Sequence, residues 1–137
     1  MNSSHIFWPV LAQVFLTLIM YIVLGVRKAK VVKAGTVNRQ QAALDNRVWP
    51  DDVVKVSNNI ANQFEAPILF YVLCLVAHAI NAAGTLAVTL AWLFVTSRYA
   101  HAYVHVNSNH IPIRLPLFLV GCLVLLGMLA LLAWQLA

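Results

Sequence analysis

The sequence predicts an all-α integral membrane protein, a four-helix bundle in a single domain that covers residues 1–137. Of these residues, 62% are hydrophobic and only 9% are charged, whereas soluble chains carry about 25% charged residues. The apolar residues also form four blocks of roughly 20 residues, the length that crosses a bilayer as a helix. The predicted spans are residues 6–26, 57–80, 85–106 and 115–136, and residues 27–52 form the one sizeable loop.

The basic residues all fall on one predicted side of the membrane. Seven of the nine Lys and Arg residues lie within residues 27–55, and Arg98 and Arg114 lie toward the ends of the third and fourth spans that face the same side. Because basic loops stay cytoplasmic, both termini are predicted to be non-cytoplasmic. The formal net charge of +5 is therefore attributed to topology and to contact with anionic membrane lipids, and not to nucleic acid.

The first span is apolar apart from Gln13 and Thr17, so we predict a packing role for it. It is too long for a signal peptide and a basic stretch follows it, so we expect it to remain in the protein. The cytoplasmic loop that follows contains a candidate interfacial helix at residues 38–46. At its end, Asp51 or Asp52 is predicted to cap the second span and to interact favourably with its dipole.

The second span contains four amides and a carboxylate. Asn58, Asn62 and Glu65 are four and three residues apart, so they share one helical face. Glu65 is the only acid within a predicted span, and a carboxylate at that depth costs several kcal/mol unless a partner meets it. We therefore expect Glu65 to face the bundle interior and Pro67 to kink the helix beside it.

The third span is apolar until its last third, where Arg98, His101 and His105 share one helical face. Counted at 1.5 Å per residue from the cytoplasmic ends, Glu65 lies about 15 Å deep and Arg98 about 13 Å deep. Because the second and third spans are antiparallel neighbours, this matching depth predicts an ion pair between the two side chains.

The fourth span begins near Arg114 and is otherwise almost featureless. Gly121 and Gly127 within it would allow a neighbouring helix to approach closely. Cys74 and Cys122 lie in mid-span without CxxC spacing, so we predict that both are packing residues.

Six polar residues are predicted to converge near the cytoplasmic end of the bundle: Asn62, Glu65, Arg98, His101, His105 and Arg114. Arginine binds carboxylates through two parallel hydrogen bonds and stabilises thiolates, so this set suits an anionic, peptide-like ligand.

Three alternatives use the same residues. The first is a polar network that only fixes the register of the helices. The second is a metal or haem held by His101 and His105, but His78 lies at the opposite end of its span and cannot complete an axial pair, so no metal site is predicted. The third is a small cation-coupled exporter, although such exporters place their essential Glu in the first span, which here has no charge.

Two motifs and one further arginine carry a resemblance to a known family. The second span reads Asn62-Gln63-Phe64-Glu65-x-Pro67-x-Leu69-Phe70-Tyr71, and later come Arg98-x-x-His101-x-x-x-His105 and Arg114. Together they resemble the MAPEG family, the membrane-associated proteins in eicosanoid and glutathione metabolism, and its less-characterised bacterial members in particular. The resemblance implies a homotrimer of four-helix subunits, with glutathione as co-substrate bound between neighbouring subunits near the cytoplasmic side.

The resemblance also implies roles for five of the six residues in binding glutathione. Asn62 and Glu65 would hold its peptide part, and Arg98 and His101 would complete the polar floor of the site. His105 occupies a place where characterised eukaryotic members often have a tyrosine that packs on the ligand.

Arg114 is the candidate catalytic residue, because the resemblance places it against the thiol, where it would stabilise the thiolate. Two positions depart from enzymatic members of the family. Asn58 stands where an arginine is often found, and Phe118 stands where a tyrosine is often found. Since Phe118 has no hydroxyl, thiol activation would rest on Arg114 alone.

The function implied by the resemblance is a glutathione-dependent transferase or peroxidase of the bacterial inner membrane, acting on lipophilic electrophiles or lipid hydroperoxides. The expected partners are membrane lipids, two further copies of the chain and a lipophilic small molecule. The departures at residues 58 and 118 favour the alternative of a non-catalytic member that binds a lipid or a protein partner within a larger membrane assembly.

Overall fold

The computed structural model describes residues 2–137, and over these residues the secondary structure is helical, without strands. The helices are α1 (Phe7–Lys33), α2 (Arg39–Ala42), α3 (Asp51–Gln63), α4 (Ala66–Ala79), α5 (Thr85–Val106) and α6 (Ile111–Leu136). Short 3-10 turns precede α1 (Ser3–Ile6) and follow α2 (Asn46–Val48). The all-α prediction is confirmed.

Three helical segments of the described chain are long and apolar enough to cross a membrane: Ser3–Lys33, Asp51–Ala79 and Ile111–Leu136. The remaining long helix, α5, has 22 residues and so extends about 33 Å, which is a sufficient length. It falls outside the three because Arg98, His101 and His105 lower the hydropathy of its last third. The fourth membrane crossing therefore stays a prediction.

The first long helix continues about two turns past the predicted end of the first span. Helix α1 includes the basic residues that follow residue 26 and ends at Lys33. It packs against α3 and α5. Arg27 at this end donates a hydrogen bond from Nη1 to the backbone oxygen of Asp52 (2.7 Å), and the same nitrogen lies 3.6 Å from the Asp52 carboxylate. This contact ties the end of α1 to the beginning of α3.

The predicted cap of the second span is wrong in detail. The cap position of α3 is Pro50, which provides no side-chain hydrogen bond, and both Asp51 and Asp52 lie in the first helical turn. There the carboxylates interact favourably with the positive end of the helix dipole, as predicted. Proline leaves the cap position without an acceptor side chain, so the dipole interaction remains without a capping hydrogen bond.

The loop at residues 27–52 contains less helix than the predicted segment at 38–46. Helix α2 covers only Arg39–Ala42, and the Asn38 side chain caps it by accepting hydrogen bonds from two backbone N–H groups. The following turn is closed by the Asp45 carboxylate, which accepts hydrogen bonds from the Arg47 side chain and backbone. These hydrogen bonds hold the pKa of Asp45 below its ordinary value.

The second span is broken, and not merely kinked, beside the predicted position. Helix α3 ends at Gln63 and α4 begins at Ala66, with Pro67 in the first turn of α4. Glu65, between the two helices, has φ −103° and ψ −104°, outside the helical region. Because Pro67 lacks a backbone N–H and its ring excludes the preceding turn, the chain restarts a helix there and does not continue the first one.

The core lies where α4, α5 and α6 meet. The rings of Phe70 and Phe94 stack there with centroids 4.6 Å apart, and both side chains are fully buried. On α6, a Cβ added to Gly121 would lie 3.3 Å from Ser97 Oγ and 3.6 Å from the Phe94 ring, whereas one added to Gly127 would meet nothing within 4 Å. The close helix approach predicted from the two glycines is therefore present at Gly121 only.

We expect the substitution Gly121→Leu to destabilise the protein by about 1–3 kcal/mol, because the added side chain forces α6 away from Ser97 and Phe94. The measurement is unfolding in mixed detergent micelles, followed by circular dichroism. Gly127→Leu is the matched control on the same helix, with an expected change within about 0.5 kcal/mol. Equal losses in both variants would contradict close packing of α6 against α5 at Gly121.

Candidate functional site

The polar face of α5 points into the protein. Arg98, His101 and His105 are 1%, 3% and 4% exposed, respectively, so the three residues that share a face by spacing are all buried. The two histidine rings are in edge-to-face contact, with centroids 5.5 Å apart. Two nitrogens of the Arg98 guanidinium (Nε and Nη2) and Nδ1 of His101 are buried without a hydrogen-bond partner among residues 2–137.

The predicted ion pair between Glu65 and Arg98 is wrong for the single chain. Glu65 is exposed, and the ion pairs formed within residues 2–137 are Arg27–Asp52 and Arg47–Asp45. The prediction rested on matching depth along the membrane normal, and depth does not determine the direction around the helix axis. The chain leaves the helical path at Glu65, just before Pro67, and the residue is exposed there.

The predicted polar face of α3 is also displaced by one residue. Asn58 is exposed and Asn62 is half-buried, whereas Asn59 and Gln63 are fully buried. The amides that face the interior are thus the neighbours of those expected.

The buried amides form a chain of hydrogen bonds that crosses three helices. Gln13 on α1 donates from Nε2 to Gln63 Oε1 (2.8 Å), and Gln63 donates from Nε2 to Asn59 Oδ1 (3.0 Å). Asn59 Nδ2 lies 3.2 Å from His105 Nδ1, and Asn62 Nδ2 lies 3.5 Å from the same nitrogen. We refer to Gln13, Gln63 and Asn59 as the amide chain.

A small polar pocket lies between α3, α5 and α6. Its volume is about 160 Å³, and its lining includes Asn62, His101, Arg114 and Phe118. The Arg114 guanidinium donates one hydrogen bond to the Asn109 side chain, which leaves donors available for a ligand. The Phe118 ring lies 6.1 Å from the His101 ring, centroid to centroid.

An apolar groove of about 600 Å³ lies beside the polar pocket, between α4 and α6. Most of its lining is aliphatic, Phe118 belongs to both cavities, and Glu65 is its only charged lining residue. Cys122 also lines the groove and is only half-buried, whereas Cys74 is fully buried. The packing role predicted for the two cysteines therefore fits Cys74 better than Cys122.

The structure thus brings together part of the predicted site. Asn62, His101 and Arg114 line one pocket, and His105 is joined to it through its contact with Asn62. The other two predicted residues lie elsewhere, with Arg98 buried in the protein interior and Glu65 in the adjoining groove. Among residues 2–137, no group of three or more His, Cys, Asp or Glu side chains is arranged to hold a metal ion.

The residues of the amide chain are not among the site residues predicted from the sequence. The apolar first span predicts a packing role for Gln13, but its side chain is fully buried and hydrogen-bonded to Gln63. Gln13 could have been found from the sequence, because an amide buried in an otherwise apolar span needs a hydrogen-bond partner.

Comparison with known proteins identifies the family. The MAPEG family model matches residues 5–134 of the chain. Searches of curated proteins and of solved structures gave no match. The family match extends over almost the whole sequence, and it agrees with the three apolar helices that are long enough to span a bilayer. The chain is therefore an integral membrane protein of the MAPEG family.

Proposed function

We propose that the protein is a glutathione-dependent transferase or peroxidase that acts on lipophilic electrophiles or lipid hydroperoxides. The observation that carries this proposal is the pairing of two unlike cavities that share Phe118. The polar pocket offers an amide, an imidazole and a guanidinium, which suit the carboxylates and thiolate of a peptide thiol. The apolar groove offers a place for a substrate that reaches the site from the membrane.

In the proposed reaction, glutathione binds in the polar pocket with its peptide part against Asn62 and His101. Its thiol loses a proton to solvent, and the Arg114 guanidinium stabilises the thiolate. The thiolate then attacks an electrophilic carbon in the groove, forming a C–S bond while the leaving group or adjacent π bond takes the electron pair. Phe118 has no proton to donate, so activation depends on charge from Arg114.

With a hydroperoxide, the thiolate attacks the terminal oxygen and the O–O bond breaks. The alkoxide takes a proton and leaves as the alcohol, and the sulfenic acid formed on glutathione condenses with a second glutathione to give the disulfide and water. Both versions require the same contribution from the protein, namely a bound thiolate beside an apolar groove.

The site is proposed to be completed by neighbouring subunits in a homotrimer. The polar pocket, at about 160 Å³, is smaller than the roughly 300 Å³ at which ligand sites usually begin. Glu65 is exposed on the single chain, although a carboxylate at its predicted depth is unfavourable without a partner. A neighbouring subunit against this face would enlarge the pocket and cover Glu65.

We further propose that the pocket opens toward the cytoplasm of a bacterial cell. The polar pocket lies toward the same end of the helices as the basic loop. Arg114 lies near the start of α6, and Asn62 lies in α3, the helix that follows the loop. Basic loops remain on the cytoplasmic side of the inner membrane. Glutathione would then reach the pocket from the cytoplasm and the second substrate from the bilayer.

The direct test is isothermal calorimetry of glutathione binding to the detergent-solubilised full-length protein. We expect saturable binding, and weaker binding of S-methylglutathione, which keeps the peptide but cannot form the thiolate that Arg114 stabilises. Absence of any heat with glutathione would overturn the proposal. Equal affinity for both compounds would overturn the role of Arg114 in thiolate formation.

The second candidate function is a non-catalytic membrane protein that binds a lipid or a protein partner within a larger assembly. The observation that favours it is the size of the apolar groove, about 600 Å³, combined with a phenylalanine at position 118. It predicts lipid or partner retained after purification in mild detergent, without turnover of glutathione. Retention of neither would count against it.

A further inference from the structure

We propose that the amide chain is a positioning device that holds His105 with its ring proton on Nε2. The three amides are almost completely inaccessible, with Gln13 and Asn59 at 0% and Gln63 at 1% exposure, and His105 is 4% exposed. The side chains of the amide chain therefore cannot exchange their hydrogen bonds freely with water. Its hydrogen bonds link α1 to α3 and α3 to α5.

The tautomer follows from the chemistry of the amide groups. The nitrogen of a side-chain amide only donates hydrogen bonds, so a ring nitrogen that faces it must accept. Nδ1 of His105 faces Asn59 Nδ2 at 3.2 Å and Asn62 Nδ2 at 3.5 Å. Since Nδ1 accepts, the single proton of the neutral imidazole lies on Nε2.

All hydrogen bonds of the amide chain run in one direction, so its first member can affect the histidine at its far end. Gln13 donates to Gln63, Gln63 donates to Asn59, and Asn59 donates to His105. Turning any one amide around by itself would set two donors or two acceptors against each other at a buried position, which proteins avoid, so the three amides share one common direction. Gln13, on a different helix, is therefore expected to influence the tautomer of His105.

The consequence for the site is a fixed donor next to the polar pocket. With Nδ1 occupied by two amides, Nε2–H is the donor that His105 can offer to an anionic group. Asn62 connects this arrangement to the pocket, because it contacts His105 and also lines the pocket with His101 and Arg114. This consequence for ligand binding rests on the proposed function, whereas the tautomer itself does not.

The test is solid-state NMR of the full-length protein in liposomes, with ¹⁵N-labelled histidine rings and without glutathione. The signals of His105 are assigned by their loss in His105→Gln. In the wild type we expect one tautomer, with an unprotonated, hydrogen-bonded Nδ1 and a protonated Nε2. In Asn59→Leu and, to a smaller extent, in Gln13→Leu, we expect the Nδ1 resonance to move toward that of a nitrogen without a hydrogen bond and the second tautomer to appear.

Thr17→Val is the matched control, because Thr17 is also buried on α1 and its hydroxyl donates to the Gln13 backbone oxygen, not to the side-chain amides of the amide chain. Its His105 signals should match the wild type. A wild-type Nδ1 that carries the proton, or unchanged signals in both leucine variants of proven helicity, would overturn the proposal. If the His105 signals change in Asn59→Leu but not in Gln13→Leu, the role proposed for Gln63 and Gln13 would be overturned.

Glutathione titrations of the same samples separate this proposal from the proposed function. If both hold, Asn59→Leu weakens glutathione binding by about tenfold or more, the loss of one hydrogen bond to a charged group. Thr17→Val should leave the affinity unchanged. Absence of binding to the wild type would overturn the proposed function, while the tautomer measured without ligand would still decide the role of the amide chain.

Discussion

Replacing Arg114 with alanine is expected to remove the thiolate absorbance that appears when glutathione is added to the purified protein. The Arg114 side chain lines the polar pocket together with Asn62 and His101, and Phe118 on the next turn of α6 has no hydroxyl to share its role. A hydrogen bond to a charged group contributes about 1.5–3 kcal/mol. Its loss should therefore lower the thiolate fraction by roughly tenfold to a hundredfold.

Two further variants show which property of Arg114 matters. Arg114→Lys keeps the charge but loses the planar fork, so we expect an intermediate thiolate signal. Asn109→Ala removes the acceptor that the Arg114 guanidinium now contacts, and it should reduce the signal only slightly if the ligand orients Arg114. No signal in the wild type, or an equal signal in Arg114→Ala, would remove the enzymatic proposal.

Arg98→Met is expected to make the ligand-free protein more stable. It should also weaken glutathione binding if Arg98 completes the polar floor of the site in the assembled trimer, as the family resemblance implies. Arg98 is 1% exposed, and its Nε and Nη2 atoms have no hydrogen-bond partner within residues 2–137. Replacing a buried charged group by a well-packed apolar one often stabilises a protein by about 1–4 kcal/mol, and the flexible Met side chain fills a similar space. The measurements are the free energy of unfolding in detergent and the dissociation constant of glutathione.

The same variant separates a binding site from a network that only fixes helix register. If Arg98 serves register alone, Arg98→Met should lower the stability and leave the glutathione affinity unchanged. Arg27→Met is the matched control, because Arg27 lies at the end of α1 and already contacts Asp52. For a partly exposed pair of this kind the expected change in stability is within about 1 kcal/mol, with no change in affinity.

Much of the helical structure could be predicted from the sequence. The apolar blocks placed α1, α5 and α6 to within about two turns, and Pro67 marked the interruption of the second span. The spacing of Arg98, His101 and His105 also correctly predicted that one face of α5 is buried. These features depend on local periodicity and on proline chemistry, which a single segment contains by itself.

The candidate site was predicted less completely, because its arrangement depends on the break between α3 and α4. Asn62, His101 and Arg114 were expected together and line one pocket. Glu65 was expected beside Arg98, but it is exposed at the break and lines the apolar groove. Depth along the membrane could be counted in residues, whereas the angle at which a broken helix resumes depends on what α4 packs against.

The sequence by itself determined that this chain is helical, apolar enough for a membrane, and a member of its family, because composition, periodicity and short motifs are properties of the chain alone. Only the tertiary structure decided which amides of α3 face inward, that Gln13 reaches them from α1, and that a polar pocket adjoins an apolar groove at Phe118. When a helix turns about its axis by the angle between two neighbouring residues, buried and exposed side chains exchange places. That rotation is selected by packing between helices, which no single segment encodes.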